Sequence, residues 1–462
     1  MGSELEAAYD EAWAEPGVPR RHYESLIEAL RSADLAALAA TVMESLADDA
    51  VRFGDSTFVV DAIPRIIPAQ EWEALERGLL QRARALNRFL RDAYGAQEIV
   101  AAGHIPRAVI ESAEGFERDL AGHLPEQRWP AAIIGFDVVR GADGEYLVLE
   151  DNLRTPSGFA YALAARAALM RALPEEVSQP RPLAAPLWEG LEAVMRAAAP
   201  ARATSPTTVV LTDGPDNVAY YEHALAAHEL GAVLATPDQL AVENGFLWLN
   251  DELGNVGAVH VVYRRTNEDR IRDERGELTG VAEKLLEPWL RGNIGLVNAF
   301  GNGVADDKLV HSHVEDFIRF YLQEEPLVRS VPTTSVHDGA EEVMGKLNQL
   351  VVKPRHGHGG IGVVVGPHAH DADLDELARL LRQDPTGYIA QPTITLSVHP
   401  TIVGERLELR HVDLRPFSFA AEEITLPPGG LSRVAFGEGA LIVNSSQNGG
   451  GKDTWVMPED PS

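Results

Sequence analysis

The chain has 462 residues, 45% apolar and 24% charged, with a formal net charge of −30. That length predicts about two to three folded domains, and no run of about 18 apolar residues is present to form a membrane-spanning helix. The absence of cysteine excludes disulfides, thiolate metal sites and cysteine nucleophiles. The acidic balance argues against non-specific nucleic-acid binding, which depends on basic residues meeting phosphates.

The first residues lack a basic segment followed by an apolar one and do not read as a secretory signal, so a cytoplasmic location is expected. A polyanion site in so acidic a chain must be made positive locally. Lysine is nearly absent, limited to Lys284, Lys308, Lys346, Lys353 and Lys452. Where an arginine-rich chain keeps lysine, the position has use for a compact, flexible ammonium.

In chain order, the first hundred residues read as helical, and residues 1–125 form a mostly helical N-terminal region. Its strongest pattern is Glu71 to Tyr94, where Trp72, Leu75, Leu79, Leu86, Phe89 and Leu90 recur three and four apart. Short apolar runs over Ala131–Val139 and Tyr146–Leu149 flank the turn Gly141-Ala142-Asp143-Gly144 and predict a hairpin. A helix over Ala160–Leu173 and a proline-dense connection (Pro174 to Pro186) complete a second unit, 126–200. Residues 201–300 alternate strand and helix patterns, with strands at Thr208–Leu211, Ala232–Ala235 and Val259–Tyr263 and helices at Asn217–Leu230 and Gly280–Leu290. This predicts a small parallel α/β domain. A last unit, 301–457, holds the strand Leu350–Val352, a glycine loop, the strand Ile361–Val365, the helix Asp373–Arg382 and a strand-rich tail.

Chemistry concentrates in two segments. Val351-Val352-Lys353-Pro354-Arg355-His356-Gly357-His358-Gly359-Gly360-Ile361-Gly362 places a lysine before four glycines. Such a tip brings backbone N–H groups close to phosphate oxygens while the lysine adds a point charge. It is not a Walker loop, and a merely flexible hairpin is the plain alternative. In the second segment, Asp137 faces Leu149-Glu150-Asp151-Asn152-Leu153-Arg154 across the turn. Residues two apart on a strand share a face, so Glu150 and Asn152 point the same way with Asp137 opposite. That oxygen set suits Mg²⁺, the alternative being acids on a solvated strand.

Two further features each have two readings. Arg265, ending Val262-Tyr263-Arg264-Arg265, stands where α/β sheets bind ligands and can grip a substrate carboxylate or form a structural ion pair. The pairs His311 with His313 and His356 with His358 each offer a metal only two ligands.

Together these motifs resemble the ATP-grasp fold. Asp137 with Glu150-x-Asn152-x-Arg154 looks like its magnesium end, and Val351-Val352-Lys353-Pro354 with the glycine loop looks like its phosphate-covering hairpin. Tyr388-Ile389-Ala390-Gln391-Pro392 resembles its adenine-side hinge strand. Val412-Asp413-Leu414-Arg415, Ser432-Arg433-Val434-Ala435 and Val443-Asn444 resemble the strands beyond the hinge. The order is rotated, with the acidic segment first, as in the circularly permuted ATP-grasp proteins (type 2) related to the synthetase half of glutathionylspermidine synthase. Ile63-Pro64-Arg65-Ile66-Ile67-Pro68, Asp306-Asp307-Lys308 and Asn444-Ser445-Ser446-Gln447 resemble that family specifically. Gly135 stands where glutathionylspermidine synthases place an arginine, so their substrate recognition does not transfer.

The resemblance implies an α/β (α+β) chain with a permuted ATP-grasp domain, a Rossmann-like domain and a helical N-terminal region. ATP and Mg²⁺ are the implied cofactors. Lys308, Lys353, Gly357, Gly359, Gly360, Gly362 and Gln391 would contact nucleotide, and Asp137, Glu150 and Asn152 would hold magnesium. Arg154, Arg415 and Arg433 would serve catalysis, with surface ion pairing the plain alternative for the last two. Ser157, Asn444 and Arg265 would meet substrate. The implied activity is a carboxylate–amine ligase acting through an acylphosphate on small-molecule or peptide partners, without nucleic acid or membrane, in a monomer or homo-oligomer. The rivals are an inactive nucleotide-binding subunit and a phosphotransferase with a non-carboxylate acceptor.

Overall fold

The computed structural model describes residues 7–125, 128–174, 177, 179–250, 256–357, 361–437 and 449–459. His358, Gly359, Gly360, Asn444, Ser445, Ser446 and Gln447 lie outside the described residues.

The N-terminal region holds helix α1 (Leu35–Asp48), strand β1 (Val60–Ile67) and helix α2 (Ala69–Tyr94). The apolar stripe expected on α2 is its buried face, including Trp72, Leu75, Leu79, Leu86, Phe89 and Leu90. The region is not helical throughout, however. All eight residues of β1 are buried, and the strand pairs in parallel with one from the far end of the chain. Its β-branched Ile63, Ile66 and Ile67 favour a pleated setting covered on both faces, where neither helical spacing nor alternation is visible.

The predicted hairpin is β2 (Ile133–Arg140) with β3 (Tyr146–Asn152), followed by helices α3 (Phe159–Ala172) and α4 (Ala184–Ala198). The middle of the chain carries β4 (Thr208–Thr212), α5 (Tyr220–Glu229), β5 (Val233–Ala235), β6 (Val261–Arg265), α6 (Gly280–Leu290) and β7 (Gly295–Val297). Its four strands form one parallel sheet in the order β7-β6-β4-β5. Alternating strand and helix patterns produce this arrangement because parallel neighbours need a crossover between them.

Next come β8 (Arg329–Ser330), β9 (Thr334–Ser335), β10 (Leu350–Pro354), β11 (Val364–Val365), helix α7 (Asp371–Gln383) and β12 (Tyr388–Pro392). The tail adds β13 (Val398–Val403), β14 (Arg406–Arg415), β15 (Phe417–Ala420), β16 (Leu431–Ala435) and β17 (Gly449–Val456). Strands β9-β12-β10-β11 form a small antiparallel sheet. A ten-stranded mixed sheet runs β8-β3-β2-β14-β16-β17-β1, with β13 on β14, β15 on β2 and the short strand Ile424–Thr425 on β15. The acidic hairpin therefore sits beside the tail strands although they are far apart in sequence, as a rotated chain order requires.

Candidate active site

A cleft of about 840 Å³ opens between the ten-stranded sheet and the small antiparallel sheet. Asp137, Glu150, Asn152, Arg154, Ser157, Lys308, Lys353, Gly357, Gln391, Arg415 and Arg433 all line it. Residues far apart in the sequence thus converge on one cavity.

The acidic floor is built by the β2–β3 pair. Asp137 lies directly opposite Glu150, and Gly135 opposite Asn152. A bulge follows, because Val138 pairs with Val148 and leaves Leu149 extra. Such an irregularity re-aims side chains at the strand end. Asn152 Nδ2 lies 3.3 Å from Asp137 Oδ1 and 3.3 Å from the Gly135 carbonyl.

Asp137 is tied to both catalytic-candidate arginines. Arg415 donates through Nε (2.6 Å) and Nη2 (2.8 Å), and Arg433 donates through Nη2 (2.9 Å). Arg433 also donates through Nε to Asp413, its direct partner across β14 and β16. Burial alone would raise the Asp137 carboxyl, but Arg415 and Arg433 outweigh it and hold the group well below the carboxylate range. Asp413 is raised by burial despite Arg433, with Asp137 adding like charge. These arginines are not surface ion pairs; they form a buried network of two acids and two guanidinium groups.

The roof is the β10–β11 hairpin and β12. Lys353 sits on β10 opposite Ile389 of β12, and Val351 sits opposite Gln391. Lys353 is 7% exposed, and its Nζ lies 3.9 Å from Glu150, beyond hydrogen-bond reach. Burial pushes its ammonium below the ordinary lysine value, with Glu150 opposing and Lys308 adding to the shift. Lys308 donates to the Gly357 carbonyl at 3.0 Å. Gly357 (φ +110°) and Gly362 (φ +74°) adopt left-handed backbone, and a Cβ at Gly362 would approach Pro354 Cγ to 2.8 Å. Glycine is required there by conformation and by space. Gln391 donates to Thr333 Oγ1 at 2.9 Å on the cleft wall.

At the other end of the cleft Arg154 donates to Asp306 (2.8 Å) and reaches Asp269 (3.3 Å). Asp306 is raised to about 6 by burial, against the pull of Arg154. Ser157 contributes its carbonyl to Arg415 at 3.2 Å.

The free carboxylate grip expected of Arg265 is not what the structure shows. Arg265 is 3% exposed and donates to Glu222 (2.7 Å) and to the Pro156 carbonyl (2.7 Å). It is absent from the residues lining the cleft. Glu222 in turn accepts from the Gly158 and Ala160 backbone N–H groups at the start of α3. The pair clamps the Thr155–Gly158 loop to the parallel sheet. Of the histidines read in pairs, His311 bonds Asp151, His313 faces Asp316, and His356 lies 3.5 Å from Asp307, while His358 is outside the described residues. No group of three His, Asp or Glu side chains that could hold a metal occurs among the described residues.

Sequence reasoning passed over Asp413, Asp306 and Glu222 as individual residues of the site. Asp413 and Asp306 fall inside motifs quoted for the family, which was the available signal. Glu222 carried none, because its partner lies 43 residues away.

A phosphate hairpin facing an acidic strand pair across a cleft is the arrangement of an ATP-grasp protein. The chain belongs to the circularly permuted ATP-grasp type 2 family, whose model matches residues 64–435. It is 42% identical over 408 residues to an uncharacterized protein of Synechocystis sp., covering 87% of this chain and 84% of that one. It is 40% identical over 465 residues to a Frankia alni protein provisionally named glutamate–cysteine ligase 2-3, covering 97% of this chain but only 54% of that longer one. A solved glutathione synthetase-like effector from Globodera pallida, in its apo form, superposes with a TM-score of 0.56 at 13% identity. That superposition spans 92% of this chain and 97% of the effector, and it shows the shared fold. Family membership makes the chain an ATP-using protein of a class of ATP-dependent ligases. No helix among the described residues is long and apolar enough to cross a membrane.

Proposed function

We propose that the chain is an ATP- and Mg²⁺-dependent carboxylate–amine ligase that makes an amide or peptide-like bond through an acylphosphate. The observation that carries this reading is the convergence of Lys353, Lys308, Arg415, Arg433 and the Asp137–Glu150–Asn152 set on one cleft.

Phosphoryl transfer needs positioning and charge neutralisation more than covalent help from the protein. In this reading Lys353 and Lys308 receive the phosphates, Gln391 sits beside the adenine, and the hairpin carrying Gly357 and Gly362 covers the nucleotide. Glu150, Asn152 and Asp137 would hold magnesium. Their oxygens fit a hard cation, and Glu150 is the acid least engaged by the protein. When bound, magnesium would offset the negative charge of the phosphates. Arg415 and Arg433 are held rigidly by Asp137 and Asp413, so their positive field is in place before the carboxylate is phosphorylated. A substrate carboxylate oxygen attacks the γ-phosphorus and ADP leaves. An amine nitrogen then attacks the acyl carbon, the C–O bond to phosphate breaks, and phosphate departs as the nitrogen loses a proton. Arg154 and Ser157 line the end of the cleft proposed for these acceptors, and Asn444 joins them by family resemblance. The glutamate–cysteine ligase name of the Frankia relative supports amino acids as candidate acceptors.

The test is ADP release from Mg-ATP with a panel of amino acids and short peptides, supplied singly and in pairs. An active acid given hydroxylamine should yield a hydroxamate. If no acid stimulates ADP release while Mg-ATP still binds, the ligase reading fails and an ATP-binding subunit takes its place.

A further inference from the structure

Four side chains within six consecutive residues each fasten a different part of the cleft. Asp306 Oδ1 accepts from the Leu153 N–H at 2.7 Å, and its Oδ2 accepts from Arg154 Nε at 2.8 Å, just beyond the acidic strand. Asp307 accepts from Arg355 Nε at 2.8 Å and also caps the turn that starts at Lys308. Lys308 holds the Gly357 carbonyl. His311 Nδ1 meets Asp151 Oδ2 at 2.8 Å.

The placement of these partners matters. Asp151 lies between Glu150 and Asn152 on β3 and points to the opposite face, where Arg82 of α2 grips both its oxygens at 2.6 and 2.7 Å. A one-residue slip of β3 would carry Asp151 into the cleft and take Glu150 and Asn152 out of it, so the buried Arg82–Asp151–His311 cluster pins the register of the acidic strand. Arg355 and Gly357 sit at the base of the phosphate hairpin. Arg355 is buried and fixed by Asp307, Ser112 and the Val109 carbonyl. The turn 306–311 is therefore a short rigid bridge with the acidic strand at one end and the phosphate hairpin at the other. Buried ionic contacts like these add little net stability over apolar packing, and their attested use is to fix one arrangement.

We infer that Asp307 and His311, with Arg355 and Asp151, are positioning residues that couple metal binding on the acidic strand to nucleotide binding at Lys308 and Lys353. This rests on the proposed ATP and magnesium site. The coupling is reciprocal: magnesium tightens ATP binding partly through this bridge, and ATP tightens magnesium binding equally.

The test compares ATP affinity in EDTA and in saturating Mg²⁺, by calorimetry, for the wild-type chain, Arg355→Lys, His311→Gln and the double variant. Direct contact between magnesium and phosphate contributes to the ratio in every protein alike, so the change among them reports the bridge. The wild-type ratio should exceed about tenfold, and each single variant should lower it by about threefold or more. The double variant should add little, because both changes break one linkage. Arg166→Met, which removes a buried pair with Asp453 on β17, should lower the melting temperature and leave the ratio alone. An unchanged ratio in both single variants overturns the inference while leaving the nucleotide site standing. A wild-type chain that binds no Mg-ATP overturns the site itself, and the coupling with it. If the variants do not fold, hydrogen exchange on the wild type decides. Amides of Leu350–Gly357 should exchange more slowly with ATP and magnesium than with ATP alone, and equal rates overturn the inference.

Discussion

Of the places where the ten-stranded sheet buries charge, one is the cleft and another, around Lys452, is sealed. At the sealed place Lys452 on β17 is fully buried and donates to Asp61 and to the carbonyls of Ile63 (3.3 Å) and Pro400 (3.1 Å). Beside it Arg65 holds Glu11 through two 2.6 Å bonds, and Ser397 and the Tyr23–His399 pair complete the network. Lys353 is almost as buried, yet its nearest acid is 3.9 Å away and it faces open volume. Burial and scarcity of lysine are common to both, so neither marks a site. The difference lies in satisfaction: three acceptors use all three donors of Lys452, whereas Lys353 makes no side-chain hydrogen bond among the described residues.

The largest expected effect separates the two lysines. Lys353→Ala should abolish the rise in melting temperature produced by Mg-ATP and leave the ligand-free protein nearly unchanged. Lys452→Met should destabilise the ligand-free protein by about 3–5 kcal/mol, because Asp61 is left buried without its cation, while any folded fraction still responds to Mg-ATP. Equal behaviour of the two variants would break the comparison. Arg433→Met should come next, lowering the turnover of an identified substrate by about 10²–10³-fold through lost stabilisation of the transferring phosphoryl group. Arg265→Gln tests the clamp between the parallel sheet and the Thr155–Gly158 loop. It should lower the melting temperature with or without ligand, as loss of a buried partner of Glu222 does. A raised KM for the acid at unchanged melting temperature would restore the substrate-grip reading.

Legibility followed sequence distance. The β2–β3 hairpin, helix α2 and the alternating strands and helices of the parallel sheet were readable because their signals are local periods and turns. Membership of the permuted family was readable because Asp137, Glu150-x-Asn152 and Val352-Lys353-Pro354 occur in a rotated order that few folds produce. Strand β1 was not readable, since its ladder partner among the described residues is the distant β17 and its burial on both faces removes alternation. Pairing of Asp137 with Arg415 and Arg433 was equally invisible, spanning 278 and 296 residues. Arg264 and Arg265 show the limit at single-residue scale. Both are buried, and nothing in the pair of letters says which one meets Glu222.

The smallest expected effect concerns pH and the acceptor end of the cleft. Asp306 is raised to about 6 from 3.8 because its burial outweighs Arg154. Between those values the folded chain binds more protons at this position than the unfolded chain does. The stabilisation is therefore fully present below about pH 4 and is lost as pH rises through about 6. Asp306→Asn removes that titration. The stability difference between wild type and variant, from urea unfolding at a series of pH values, should fall by on the order of 1–3 kcal/mol from pH 4 to 6 and level off above. The same variant keeps an acceptor for the Leu153 N–H but gives Arg154 no charge, so it should also loosen the start of the 306–311 bridge. A difference that rises across the window would mean that Arg154 outweighs burial and that Asp306 behaves like Glu11 of the sealed network, which Arg65 holds low. A flat difference would mean that water already reaches the carboxylate from the cleft. Only the falling profile marks Asp306 as a buried acid kept at the edge of the cleft beside Arg154.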